Sequence, residues 1–243
     1  MEQKTNKTTY GMTREQERQA SRLFGRHVSG PKALALCLGA LLACASPMLL
    51  GLRLWAAIPP LVQTGFVSPE GVDDSMPRAV LAFGVPGLFC VLTLICHAQL
   101  WLHQRAQKLP PMSVRMLGRW TVPVFSVLLS GFWLMRAAGE STGAAFFVPC
   151  LLALLLLLTG AHFFDCPRSG KFAFHLKRIE YKENAWRKTH RLAGICWMLA
   201  GLLLLGLLFG MGRIPALSAV PLLLLLLAPL PAAGIFAKRD SEE

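Results

Sequence analysis

A chain of 243 residues that is 54% hydrophobic, 16% charged and of mean hydropathy +0.49 does not fit one water-soluble core, where about 25% of residues carry charge. The net charge of +12 and pI near 9.9 would suit a nucleic-acid surface. The basic residues, however, lie between apolar runs, where they act as topology signals, and this placement argues against nucleic-acid binding. The seven cysteines (37, 44, 90, 96, 150, 166 and 196) are odd in number and include no CxxC pair. Most fall inside apolar runs, where a thiol behaves as a small hydrophobe, so no disulfide framework is expected.

Residues 1–32 are polar and basic, with seven Lys or Arg against Glu2, Glu15 and Glu17. The stretch Thr13–His27 suits either a short basic amphipathic helix at a membrane surface or a disordered basic tail. The first apolar run starts too late and runs too long for a cleavable signal peptide, so an uncleaved anchor is expected. Six runs are long and apolar enough to cross a bilayer: 33–55, 78–102, 117–135, 144–164, 191–211 and 216–237. Together they make 33–237 an all-α, six-span membrane domain. Ser46-Pro47 predicts a kink in the first span, and Gly84-Val85-Pro86-Gly87 a break in the second. The stretch 56–77, rich in Pro, Gly and acids, reads as the longest non-basic loop. Residues 238–243 are a short polar tail.

Charge assigns the orientation. The N-terminal tail carries seven Lys or Arg, the 103–119 loop four, the 165–191 loop eight and the C-terminal tail two. On the other side stand only Arg53, Arg78, Arg136 and Arg213. Positive charge favours the cytoplasmic face, which predicts N-in and C-in, with 1–32 and 238–243 cytoplasmic. The short turns after spans three and five predict two tight hairpins of spans.

The chemistry-bearing residues are few. No acid lies near the middle of any span, which argues against an ion-coupled transporter. His97, His103, His162 and His190 lie near the basic ends of spans two, four and five. Two of them from different spans would make a haem-binding subunit, and His162, Asp165 and Cys166 could begin a metal site. Neither set has a diagnostic spacing, and boundary histidines commonly bury one ring face and hydrate the other end. No cofactor and no metal are predicted. The chain lacks GxSxG, HExxH and any clustered Ser/His/Asp set, so no catalytic residue is assigned and the protein is expected not to be an enzyme. Gly206-Leu207-Leu208-Phe209-Gly210 is a GxxxG, which favours close packing inside the monomer over dimerisation.

One stretch concentrates the rest: Glu183 to Gly194. Asn184 is placed to cap a helix. Trp186, Thr189, His190, Ala193 and Gly194 then fall near one face at spacings of three and four. Arg187, Lys188 and Arg191 reach toward headgroups. On composition the stretch is an interfacial anchor, with Trp in the aromatic belt and basic side chains snorkelling.

The run Ala185-Trp186-Arg187-Lys188-Thr189-His190-Arg191-Leu192-Ala193-Gly194, leading straight into a span, resembles the signature of the bacterial Sdp immunity family. These are six-span inner-membrane proteins associated with resistance to a secreted peptide toxin and with signalling to a cytoplasmic repressor. The 56–77 stretch is similar to the outer loop of an N-terminal module of unknown function found in that family, in degenerate form. Pro59-Pro60, Phe66, Gly71, Asp73 and Asp74 occupy comparable places, and Gly65 stands where a His is usual. Upstream of Trp186 the family's Gly-Ile-Arg-Thr-Pro-Trp-like run is replaced by Phe174-His175-Leu176-Lys177-Arg178-Ile179. The resemblance implies a multi-pass protein of the bacterial inner membrane that binds a hydrophobic peptide or a cytoplasmic regulator. Trp186, Thr189, His190, Arg191 and Gly194 would form or brace a cytoplasmic-side site, and Phe66, Gly71, Asp73 and Asp74 would face the toxin side. A small transporter or haem-binding subunit, or a scaffold docking anionic lipid or a partner through its basic loops, are the alternative functions. Oligomeric state is not readable.

Overall fold

The computed structural model describes residues 30–67, 73–105, 112–166, 173–180 and 182–242. The amphipathic helix expected within 13–27 lies outside them. Six helices are long and apolar enough to cross a bilayer: Gly30–Arg53, Val80–His103, Val114–Ala137, Ala144–Phe164, Asn184–Met211 and Ala216–Asp240, here spans one to six. One boundary departs clearly from expectation. The helix carrying span five begins at Glu183, well before Arg191, because one face of the stretch before it, Ala185, Trp186, Thr189 and His190, is buried against neighbouring segments.

The spans form a bundle with two unlike ends. The basic end carries the start of span one, residues 173–180 and Lys182, and the end of span six. The hairpin end carries β1 (Leu61–Val67) and β2 (Asp73–Pro77), an antiparallel pair with a register shift between Gln63 and Val67. This replaces the expected loop at 56–77. Alternation explains it: Val62 and Met76, paired in register, turn inward onto the core, while Leu61, Gln63, Ser75 and Pro77 point out. Arg78 anchors the base of the hairpin. Its Nη1 donates to the carbonyls of Trp55 (3.1 Å) and Ile58 (3.3 Å), and its guanidinium sits 4.3 Å above the Trp55 ring.

Proline and π-turns shape the spans without interrupting them. Pro47 has no N–H, so the Ala43 carbonyl one turn earlier loses its helical donor. Ser46 Oγ donates to Ala43 O at 2.7 Å and replaces a backbone donor that the bilayer cannot supply. Ser126 Oγ adds a hydrogen bond across from span three to Cys44 O, also at 2.7 Å. The break expected at 84–87 is instead a π-turn, Val80–Gly84, running directly into helix Val85–Arg105. Further π-turns occur at Ser126–Ser130 and Leu207–Met211.

Spans four and five are the most closely packed pair. A Cβ on Gly160 would lie 2.9 Å from Gly194 O and 2.8 Å from Met198 N, and one on Gly201 would lie 2.7 Å from Ala153 O. The backbones meet there, as small residues permit in a bilayer. Gly206 and Gly210 do not take part: a Cβ on either would meet nothing within 4 Å. The GxxxG therefore does not provide packing within the monomer, and the close approach falls half a helix earlier. Arg53 closes the hairpin end, its Nη1 donating to Leu208 O at 3.3 Å and its guanidinium lying against Gly212, which has φ 70°. A cation at the carbonyl end of span five also complements the helix dipole. Span six is attached along one narrow face. Among its described residues Pro229, Ala233 and Ala237 are buried, at the four-residue spacing of one stripe.

Candidate functional site at the basic end

Helix Glu183–Gly206 starts with Lys182 as its extended N-cap residue, with no side-chain cap. Asn184 does not cap it. Its Oδ1 accepts a hydrogen bond from Arg187 Nη2 at 3.2 Å. The first turn is served from the far end of the chain instead: Ala185 N–H donates to Asp240 Oδ2 at 3.4 Å, where a carboxylate meets the positive end of the helix dipole. Lys182 Nζ donates to Ala237 O at 2.7 Å, so loop, span five and span six are tied together. Beneath this clamp Ile179, Ala185, Trp186, Ala233 and Ala237 form a small core of their own.

The predicted face of span five is present and buried. Trp186, Thr189, His190 and Gly194 are all enclosed, with Trp186 3% and His190 2% exposed. Trp186 and His190, four residues apart, stack with ring centroids 4.0 Å apart. Phe163 from the end of span four and Phe174 from the loop complete the cluster. They stack on each other at 4.8 Å, and each meets Trp197 edge-on, at 5.2 and 5.7 Å. Trp197 Nε1 then donates to Leu226 O of span six at 3.3 Å.

His190 is the hinge of this assembly. Phe174 N–H donates to its Nε2 at 3.1 Å, and its Nδ1 lies 3.0 Å from Trp186 O. A nitrogen that accepts carries no proton, so the imidazole is the neutral Nδ1–H tautomer and donates to Trp186 O. Both nitrogens are committed. The ring offers no lone pair to a haem iron or a metal, and the site in this geometry is a fastening rather than an open ligand pocket. Thr189 Oγ1 is buried with no hydrogen-bond partner among the described residues. Arg191 is not drawn into the cluster. It is exposed, as are Lys177, Arg178, Arg187, Lys188, Lys238 and Arg239, so a basic rim surrounds the buried aromatic group.

Phe66 lies on β1, and Asp73 and Asp74 open β2, at the opposite end of the bundle from Trp186. Gly71 lies outside the described residues. The two candidate sets are therefore not one site. Phe163, Phe174, Trp197 and Asp240 escaped the sequence reading. Trp186, His190 and Trp197 share a helical face, which was a legible signal. The arrival of Phe174 and Asp240 was not. His97 and His103 lie on span two and His162 on span four, and no group of three His, Cys, Asp or Glu converges among the described residues.

Fold and site define a multi-pass helical membrane protein whose last two spans are clamped by a buried aromatic cap. Residues 172–236 match the SdpI/YfhL protein family. The matched segment runs from the loop into span six and contains Phe174, Trp186, His190 and Trp197 but stops short of Ala237 and Asp240, so the resemblance carried by residues 185–194 extends over most of the last two spans. No curated protein and no solved structure matches the chain.

Proposed function

We propose that the protein is a non-enzymatic member of the peptide-toxin immunity and signalling type, sited in the bacterial inner membrane with both termini in the cytoplasm. It engages a hydrophobic peptide from the bilayer or the outer face, or a cytoplasmic regulator at the basic rim. The observation that supports this reading is the fastening of the loop to span five within the matched segment, reinforced by Ala237 and Asp240 just beyond it. Trp186 and His190 hold the loop against span five, and this presents Lys177, Arg178, Arg187, Lys188 and Arg191 as a fixed basic surface. In this reading Trp186, Thr189, His190 and Gly194 are bracing residues and Arg191 is a contact residue. The alternative of docking anionic lipid rests on the same rim and predicts salt-sensitive binding to anionic vesicles with no protein partner present.

The test is protection of a toxin-sensitive host. Wild type is expected to protect, Arg191→Ala with Lys188→Ala to lose protection at unchanged abundance, and His190→Ala to lose both protection and abundance. Full protection by the Arg191/Lys188 variant would remove the rim from the mechanism. Absence of protection by abundant wild type would overturn the immunity reading itself.

A further inference from the structure

The hairpin of β1 and β2 stands between the end of span one and the start of span two, and among the described residues its sheet has two strands only. Each strand therefore has one edge turned away from its partner. The ladder shows which main-chain groups occupy those edges. Arg78 N–H donates to Pro60 O at 2.9 Å, and Leu61 pairs with Pro77, Val62 with Met76 and Gln63 with Ser75. In an antiparallel ladder, opposed residues alternate between pairs that exchange hydrogen bonds and pairs that do not. With the bond between Arg78 and Pro60 fixed, Val62 and Met76 are the pair that exchanges bonds. Leu61, Gln63, Ser75 and Pro77 turn their main-chain groups away from the partner strand. The two edges are unequal. Pro77 has no N–H, so the β2 edge is interrupted, which is one way that sheets protect an edge. The β1 edge presents the N–H and C=O of both Leu61 and Gln63. Neither makes a backbone hydrogen bond outside the ladder among the described residues. Leu61 is 62% exposed and Gln63 is exposed, so this part of the strand is open to solvent.

We propose that the β1 edge takes up an extended, cationic peptide as a third strand of the sheet. This rests on the peptide-binding reading given above and specifies where and how the peptide is held. Main-chain bonds to Leu61 and Gln63 supply affinity whatever the sequence of the added strand, and its alternate side chains supply selectivity. On one face those side chains extend the inward row of Val62 and Met76, which packs on the core, so apolar residues are favoured at every second position. On the other face they lie beside the exposed Leu61. Charge sets the sign of the partner. The stretch 54–77 contains Glu70, Asp73 and Asp74 and no Lys or Arg. The two flanking arginines are turned onto carbonyls, Arg53 onto Leu208 O and Arg78 onto Trp55 O and Ile58 O. The hairpin therefore attracts a cationic strand and opposes an acidic one.

The full-length protein in a non-ionic detergent is titrated into fluorescein-Lys-Val-Lys-Val-Lys-Val-amide, and binding is read by anisotropy. Saturable one-to-one binding that weakens with salt is expected. The same peptide N-methylated at alternate residues should not bind, because it cannot donate to the edge, and a peptide with Glu in place of Lys should not bind either. Gln63→Pro removes an outward N–H but no ladder bond, and should weaken binding about 10-fold. Ser75→Pro makes the same change on the opposite edge and should bind as wild type. Asp73→Asn with Asp74→Asn should weaken binding and flatten its salt dependence. The N-methylated peptide tests the inference on wild-type protein, whatever the folding of the variants. Equal binding of both lysine peptides, or loss of binding in Ser75→Pro but not in Gln63→Pro, would overturn the β1 edge as the site. So would a wild-type dimer that binds no peptide and that Gln63→Pro converts to monomer, since a second copy would then occupy the edge. Wild type that protects a toxin-sensitive host but binds no peptide would overturn strand addition and leave the immunity reading standing. Peptide binding without protection would support the strand-addition site and remove the immunity reading.

Discussion

The imidazole of His190 is held by two hydrogen bonds of opposite sense, accepting from Phe174 N–H and donating to Trp186 O. Removing the ring leaves a half-buried backbone N–H without its acceptor, which costs about 1–3 kcal/mol before lost stacking is counted. His190→Ala is therefore expected to lower the thermal unfolding midpoint in detergent and to expose the 173–182 segment to protease. His190→Gln keeps an acceptor near the position of Nε2 and should recover part of the loss. Equal protease resistance in wild type and His190→Ala would show that the ring does not fasten the loop. The residue types of this motif were legible in the sequence, and so was their common face. Their burial was not, because Phe174 and Asp240 arrive from loop and tail segments that no helical periodicity connects to span five.

Close packing of spans four and five depends on glycine at three positions where a side chain would strike backbone atoms or fixed side chains. Overpacking of this kind costs about 1–3 kcal/mol. Gly201→Leu and Gly194→Leu are expected to reduce folded yield and lower the unfolding midpoint. Gly206→Ala and Gly210→Ala should change stability by no more than about 0.5 kcal/mol, because the space beside them is open. The comparison is made by thermal scan on matched preparations. Greater damage from Gly206→Ala than from Gly201→Leu would mean that the spans pack on the GxxxG after all. The sequence spacing of Gly206 and Gly210 is ideal for a helix interface, but a π-turn from Leu207 to Met211 rotates that part of span five off the helical face on which the motif depends. Conversely, Gly160, Gly194 and Gly201 form no short motif. They work as a set because one lies on the neighbouring span.

Across the whole molecule, the hairpin and the basic rim are at opposite ends of six spans. If both termini are cytoplasmic, a reporter fused at the C-terminus and one inserted at 68–72 should report opposite compartments. Labelling of engineered single cysteines at Ser75 and Lys188 by a membrane-impermeant reagent in intact cells should modify only the former. Labelling of Lys188→Cys alone would reverse the orientation. The sequence by itself determined the six spans, because about 20 apolar residues in a row have no other stable place than a bilayer. It also marked the 185–194 stretch, through residue types that rarely crowd together at a span boundary. Only the tertiary structure decided which of those residues are enclosed, which glycines carry the packing, and that the acid-rich stretch pairs as a hairpin. Each of these depends on partners distant in the chain: Asp240 on the first turn of span five, Ala153 O against Gly201, Met76 opposite Val62. Hydropathy fixes where a segment lies in the membrane, but not which neighbour it meets there, since lipid and protein are equally apolar to it.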